Sequence, residues 1–251
     1  MAKQAKRRKS FRPRLRGQKK QNHDYWNKEE RRVLGIGDLH LPFTHKDYLQ
    51  FCIDTYNNYN CTDVVLLGDI RDGHAESFHL TDPNGWGAGK ELNLAKEQVK
   101  DWYKAFPNAY VCVGNHDALH ARKLKAAGVP QEWLKSYQEV LGTPNWEFVT
   151  EVYIDGVRYV HGHKSGKPRT AAKRDMVSTV SGHYHTDFYV EYFFGVNRRV
   201  FACATGCGID SEKYAFEYMS GGKAEALGCS VIIGGHTAIP VAMELGNNKK
   251  R

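Results

Sequence analysis

Arg32-Val-Leu-Gly-Ile-Gly-Asp-Leu-His40 runs from a short apolar stretch into glycine, aspartate and histidine, and that order decides the fold. A brief apolar run ending at a glycine reads as a strand covered on both faces. The polar residues then fall just past its carboxyl end. Two later stretches repeat the arrangement. Thr62-Asp-Val-Val-Leu-Leu67 runs into Gly68-Asp69-Ile70-Arg71-Asp72, and Ala109-Tyr-Val-Cys-Val113 runs into Gly114-Asn115-His116-Asp117. Apolar residues recur at helical spacing over Tyr48–Asn58 and near Glu91–Ala105. Strand, helix, strand, helix, strand predicts an α/β fold, and the length suits one domain. In open α/β sheets ligand sites lie at the carboxyl ends of strands, so the three clusters should meet in one crevice.

Downstream, helical patterns near Ala118–Ala127 and Gln131–Leu141 precede a change of rhythm. Trp146–Val160 reads as a hairpin turning at Asp155-Gly156, and strands are expected at Val177–Ser181, Phe188–Phe194, Arg199–Ala204, Val231–Ile233 and Ile239–Glu244. Two more polar clusters follow strand-like runs: His161-Gly162-His163 and Gly182-His183-Tyr184-His185. Asp38 and His40, like His183 and His185, are two apart and face the same way if extended. Carboxylate and imidazole donors together suit borderline divalent metals, and this set is larger than one ion can use. Two ions sharing a carboxylate account for the surplus. Asp69 is the natural bridge, since a carboxylate offers two oxygens and paired metals sit ~3.5–4 Å apart.

In order, the motifs DxH, GDxxD, GNHD, HGH and GHxH, between about Val33 and His185, resemble the calcineurin-like metallophosphoesterase superfamily. The resemblance implies a four-layer α/β/β/α sandwich. It implies one metal held by Asp38, His40, Asp69 and His185, and a second held by Asp69, Asn115, His161 and His183. It also places His116 beside the site as general acid or transition-state stabiliser, with Asp72 as its orienting partner. The expected activity is hydrolysis of phosphodiesters by a hydroxide shared between two divalent cations, with manganese first among Mn, Zn, Fe, Ni and Mg. The substrate could be DNA or RNA. The alternatives are a small-molecule phosphatase or (cyclic) nucleotide phosphodiesterase and, from another class, a metal-binding scaffold without activity. His163 stays open between ligand, substrate contact and structural residue. Gly73 stands where the protein phosphatases of this superfamily carry Arg after GDxxD, which counts against a phosphoprotein substrate.

Of 251 residues, 41% are hydrophobic, enough for a sizeable core. No apolar run approaches the roughly 18–20 residues of a membrane span, and no leader is visible, so a cytoplasmic location is expected. The six cysteines form no CxxC pair and read as buried thiols. Residues 1–20 carry ten Lys or Arg and no acid, within a net charge of +8. The expected organisation is therefore a basic, disordered tail over 1–25 and a metallophosphoesterase domain over 26–248. Such a tail suits nucleic acid or another anionic surface, and its bland reading is a solubilising extension. The phosphate ester is the other expected partner, with no membrane. Lys164, Lys167 and Arg169 could hold substrate phosphate, and Asp117 is expected to cap the following helix. Gly85-Trp-Gly-Ala-Gly-Lys90 lacks the spacing of a P-loop and reads as a loop overhanging the site.

Overall fold

A computed structural model describes residues 30–78, 82–210, 212–213 and 224–244. The basic tail expected over 1–25 lies outside the described residues, as do Lys249, Lys250 and Arg251. The chain alternates β1 (Arg32–Ile36), α1 (Tyr48–Asn58), β2 (Asp63–Leu66), α2 (Ala88–Ala105), β3 (Ala109–Cys112), α3 (Leu119–Ala126) and α4 (Tyr137–Leu141). There follow β4 (Trp146–Val149), β5 (Glu151–Ile154), β6 (Val157–Val160), α5 (Pro168–Asp175), β7 (Thr179–Ser181), β8 (Phe188–Gly195), β9 (Arg198–Thr205), β10 (Gly228–Ile233) and β11 (Thr237–Ala242).

These strands form two sheets, ordered β11-β10-β1-β2-β3-β4 and β5-β6-β7-β9-β8. In the first, β1 to β4 run parallel, with β10 antiparallel to β1. Successive side chains of a strand point to opposite faces, which assigns each apolar residue to a layer. Leu34, Ile36, Val64, Leu66 and Val111 meet Tyr48 and Cys52 of α1 and Ala95, Val99 and Trp102 of α2. Their neighbours Val33, Val65, Leu67 and Cys112 meet Tyr159, Val180, Phe201 and Cys203 of the second sheet. The helix residues that reach the core recur every three or four positions, as one face of a helix requires. On the far side α5 packs against β7 and β9, where its buried Ala171 and Ala172 suit a strand face carrying Ala202 and Ala204. The layers are therefore α/β/β/α, as the resemblance implied. Among the described residues no helix is long and apolar enough to cross a membrane.

Three local expectations are corrected. Trp146–Val160 is not one hairpin: β4 is the parallel edge strand of the first sheet, and the chain crosses to the second sheet before β5. Only β5 and β6 pair across Asp155-Gly156, both at positive φ as a tight primed turn requires. The helix expected over Gln131–Leu141 is a short 3-10 turn at Gln131–Trp133 followed by α4. The break comes where Ser136 caps α4 reciprocally with Glu139. Finally, α5 was not anticipated, although Pro168 at its first turn is a helix-start residue.

Because Phe201 is buried between the sheets and Phe194 is 77% exposed, their truncations should differ sharply. In chemical denaturation Phe201→Ala should cost about 3–5 kcal/mol, whereas Phe194→Ala should stay within about 0.5 kcal/mol of wild type. Equal effects would contradict the sandwich packing.

Candidate metal centre

The polar clusters sit immediately past β1, β2, β3, β6 and β7, whose mutual pairing brings their carboxyl ends together within each sheet. The backbone bends sharply there. His40, Asp69 and His183 have φ of 48°, 47° and 69°, and they are half of the non-glycine residues at positive φ among those described. Such strain persists only where surrounding structure enforces it, and it collects at functional sites. Gly114 lets two of these loops touch, since a Cβ there would lie 2.0 Å from Asp69 Oδ1.

Asp69 occupies the middle of the cluster. Its Oδ1 accepts the His116 amide at 2.8 Å, while its Oδ2 lies 3.1 Å from His161 Nε2 and 3.7 Å from His40 Nε2. Donor atoms of His40, Asp69 and His185 lie within 4.8 Å of one another, and so do those of Asp69, His161 and His183. Asp38 joins both groups. Its Oδ2 is 3.4 Å from His185 Nε2 and accepts the His183 amide at 2.7 Å, and its Oδ1 is 3.3 Å from His161 Nδ1. Asn115 Oδ1 lies 2.9 Å from His161 Nε2. All seven residues singled out as ligand candidates thus meet in two groups that share Asp69. The sharing differs in form from expectation, because one oxygen faces both groups while an amide holds the other.

Hydrogen bonds set the imidazole tautomers. His161 Nδ1 lies 2.8 Å from the Leu67 carbonyl, which can only accept, so Nδ1 carries a proton, and a cation would take the place of the second proton on Nε2. His40 Nδ1 donates in the same way to Asp72 Oδ1 at 2.6 Å. Carboxylate or carbonyl behind imidazole is the usual support of a metal-binding histidine. Asp72 therefore orients two rings. Its side chain holds His40, and its main-chain carbonyl takes His116 Nδ1–H at 2.5 Å, with the carboxylate 3.6 Å away. The resemblance implied Asp72 as partner of His116 alone.

The donor set fits a cation. Among the described residues Asp38 Oδ1, Asp69 Oδ2 and His185 Nε2 are buried without a hydrogen-bond partner, a costly state for two carboxylates and an imidazole. The titration tendencies reflect the same excess of negative charge. Burial alone would raise the Asp38 and Asp69 carboxyls, yet the neighbouring imidazoles, His161 first, hold both well below the usual range. Burial opposes protonation of His161, and Asp69 and Asp38 overcome it and push that imidazole well above its ordinary value. Carboxylates that recruit a proton onto a buried histidine provide a field that would equally stabilise a metal ion.

Comparison with known proteins decides the family. The model of the calcineurin-like phosphoesterase family matches residues 31–240. The chain belongs to this family. No curated protein matches it in sequence. Among solved structures it is similar to vacuolar protein sorting 29 from Cryptosporidium parvum, at 15% identity over 88% of this chain and 94% of that one, with a TM-score of 0.47. It is also similar to Yfce, a phosphoesterase from E. coli, at 14% identity over 85% and 100%, with a TM-score of 0.37. A third is the Pseudomonas putida nuclease MPE, at 13% over 83% and 87%, with a TM-score of 0.31. Members of the calcineurin-like family bind divalent metals, and the two groups around Asp69 are clusters able to hold them.

Other residues land elsewhere than the sequence suggested. Asp117 does not cap α3, whose N-cap is Ala118 without a side-chain bond. Its carboxylate instead accepts the amides of Ile70, Arg71 and Gly114, clamping the loop after β2 to the loop after β3. Burial and the nearby Asp69 push its carboxyl up to about 6 against the pull of the Gly114 amide. Its place in GNHD was the available signal. Arg71 turns to Glu76 at 2.7 Å and His120 at 3.3 Å. His163 sits 5.3 Å, ring to ring, from His161 and belongs to neither group of donors. Lys167 and Arg169 pair with Asp187 and Glu191. Trp86 of the loop before α2 stacks on Phe43, just past His40.

Asp117→Ala should leave up to three amides unsatisfied and destabilise the fully chelated protein by at least about 1–3 kcal/mol in denaturant unfolding. A stability equal to wild type would show that the clamp carries no energy.

Proposed function

We propose that this chain is a two-metal phosphodiesterase. The observation that carries the reading is the pair of donor groups that share Asp69 Oδ2. One divalent ion would be held by Asp38, His40, Asp69 and His185, and the other by Asp69, Asn115, His161 and His183, with manganese our first choice. Such ions supply an acidified water and positive charge against phosphate oxygens. The protein's own groups account for the rest. Asp72 fixes the rings of His40 and His116. With Nδ1 of His116 committed to a carbonyl, Nε2 is the atom that delivers a proton to the leaving alkoxide. Its ring lies 4.6 Å from that of His40, with which, and with Asp72, it forms a further cluster of donor atoms outside the two that share Asp69.

Two features favour a diester over a phosphoprotein monoester. Gly73 supplies no side chain where the protein phosphatases carry arginine, and Arg71 is committed to Glu76 and His120. A diester carries one negative charge where a monoester dianion carries two, and it needs less cationic help. The ten basic residues in 1–20 favour nucleic acid as the source of that diester.

Hydrolysis of bis(p-nitrophenyl) phosphate should vanish on chelation and return with Mn(II). Activity that survives chelation, with metal loss confirmed analytically, would overturn the reading. Asp69→Asn should lose both activity and metal, whereas His116→Gln should lose at least about 100-fold in kcat and retain the metal content of wild type. A His116→Gln protein stripped of metal would contradict the division of roles.

A further inference from the structure

We propose that α5 and β8 form a docking track that leads a nucleic-acid strand to the metal centre, an inference that rests on the phosphodiesterase reading. Charge is divided unevenly along the described chain. Residues 158–199 carry eight Lys or Arg against three acids, whereas residues 30–157 carry twelve against eighteen. The basic stretch contains α5, β8 and the two histidine motifs of the centre.

Its cations are placed by aromatic rings. Lys167 lies over Tyr184 at 5.3 Å, Arg169 over Tyr189 at 5.1 Å and Lys173 over Phe193 at 4.7 Å. Arg169 and Lys173 are one helical turn apart on α5, and Tyr189 and Phe193 are four residues apart on the same face of β8. The two columns run in the same order, so the cations form a row rather than a scatter, and the β8 rings they lie over are spread along ~13 Å of strand. The row is continuous with the centre, because the Tyr184 ring is 4.9 Å from that of His183, and Lys164 directly follows His163.

The existing ion pairs do not close the track. Lys167–Asp187 and Arg169–Glu191 involve basic side chains more than half exposed, and such pairs are weak enough for phosphate to displace the carboxylate. Among the described residues neither Lys164 nor Lys173 has an ion-pair partner. Rings that already hold the cations lower the ordering cost of binding, and a row of fixed positive charge complements the repeating charge of a phosphodiester backbone.

The test uses the full chain, fully chelated, and the anisotropy of a labelled single-stranded DNA oligonucleotide across a salt series. Lys164→Gln/Arg169→Gln/Lys173→Gln should bind at least about ten-fold more weakly at low salt. The slope of log affinity against log salt should flatten by about 2, since each lost phosphate contact is worth about 0.7. Glu191→Gln, which frees Arg169, should tighten binding roughly two- to five-fold, an effect that a structural role for the ion pair would not produce. Both variants should melt as wild type does. Unchanged affinity and slope in the triple variant, weaker binding by Glu191→Gln, or displacement of the oligonucleotide by equimolar poly-glutamate would overturn the track. Hydrolysis of a small diester by wild type judges the metal centre separately, so either idea can fail without the other.

Discussion

Everything around the centre depends on one buried carboxylate. Asp69 is held from one side by the His116 amide, and its free oxygen faces His161 and His40 from the other. A carboxylate in that position is expensive to bury unless positive charge meets it. The fold spends several features on keeping it there. Its backbone is bent to positive φ, a glycine makes room for it in the neighbouring loop, and Asp117 ties the two loops together. The histidines complete the arrangement from the second sheet, which makes the sandwich itself a condition of the site: neither sheet alone carries both donor groups.

Much of this was legible in the sequence because strand ends and metal donors are local patterns. Apolar runs ending in glycine and an acid or histidine gave the parallel strands and, past their ends, the candidate donors that the structure brings near one another. What escaped depends on contacts distant in sequence. β4 and β5 are separated by a single residue, and nothing local says that they belong to different sheets. Asp117 precedes a helix and looks like a cap, yet two of its three amide partners lie far off in sequence, in the loop after β2. Asp72 was assigned to one histidine because a motif lists side chains, whereas here the main-chain carbonyl serves His116 and frees the carboxylate for His40. α5 was hidden by its charges, whose basic face masks the small apolar one that packs.

The division of charge gives the second half of the chain two tasks. Its histidine motifs contribute to the centre, and of the segments that follow each motif α5 carries cations outward from it while β8 supplies the rings they lie over. The same placement explains why basic side chains next to HGH pair with Asp187, just before β8, and Glu191, on it, rather than pointing at the donor groups.

The central claim is that one carboxylate oxygen serves two ions. Anomalous diffraction from crystals of the protein grown with Mn(II) tests it most directly. The account predicts two peaks ~3.5–4 Å apart, with Asp69 Oδ2 within bonding distance of both. A single peak, or two peaks of which one does not touch Asp69, would contradict it.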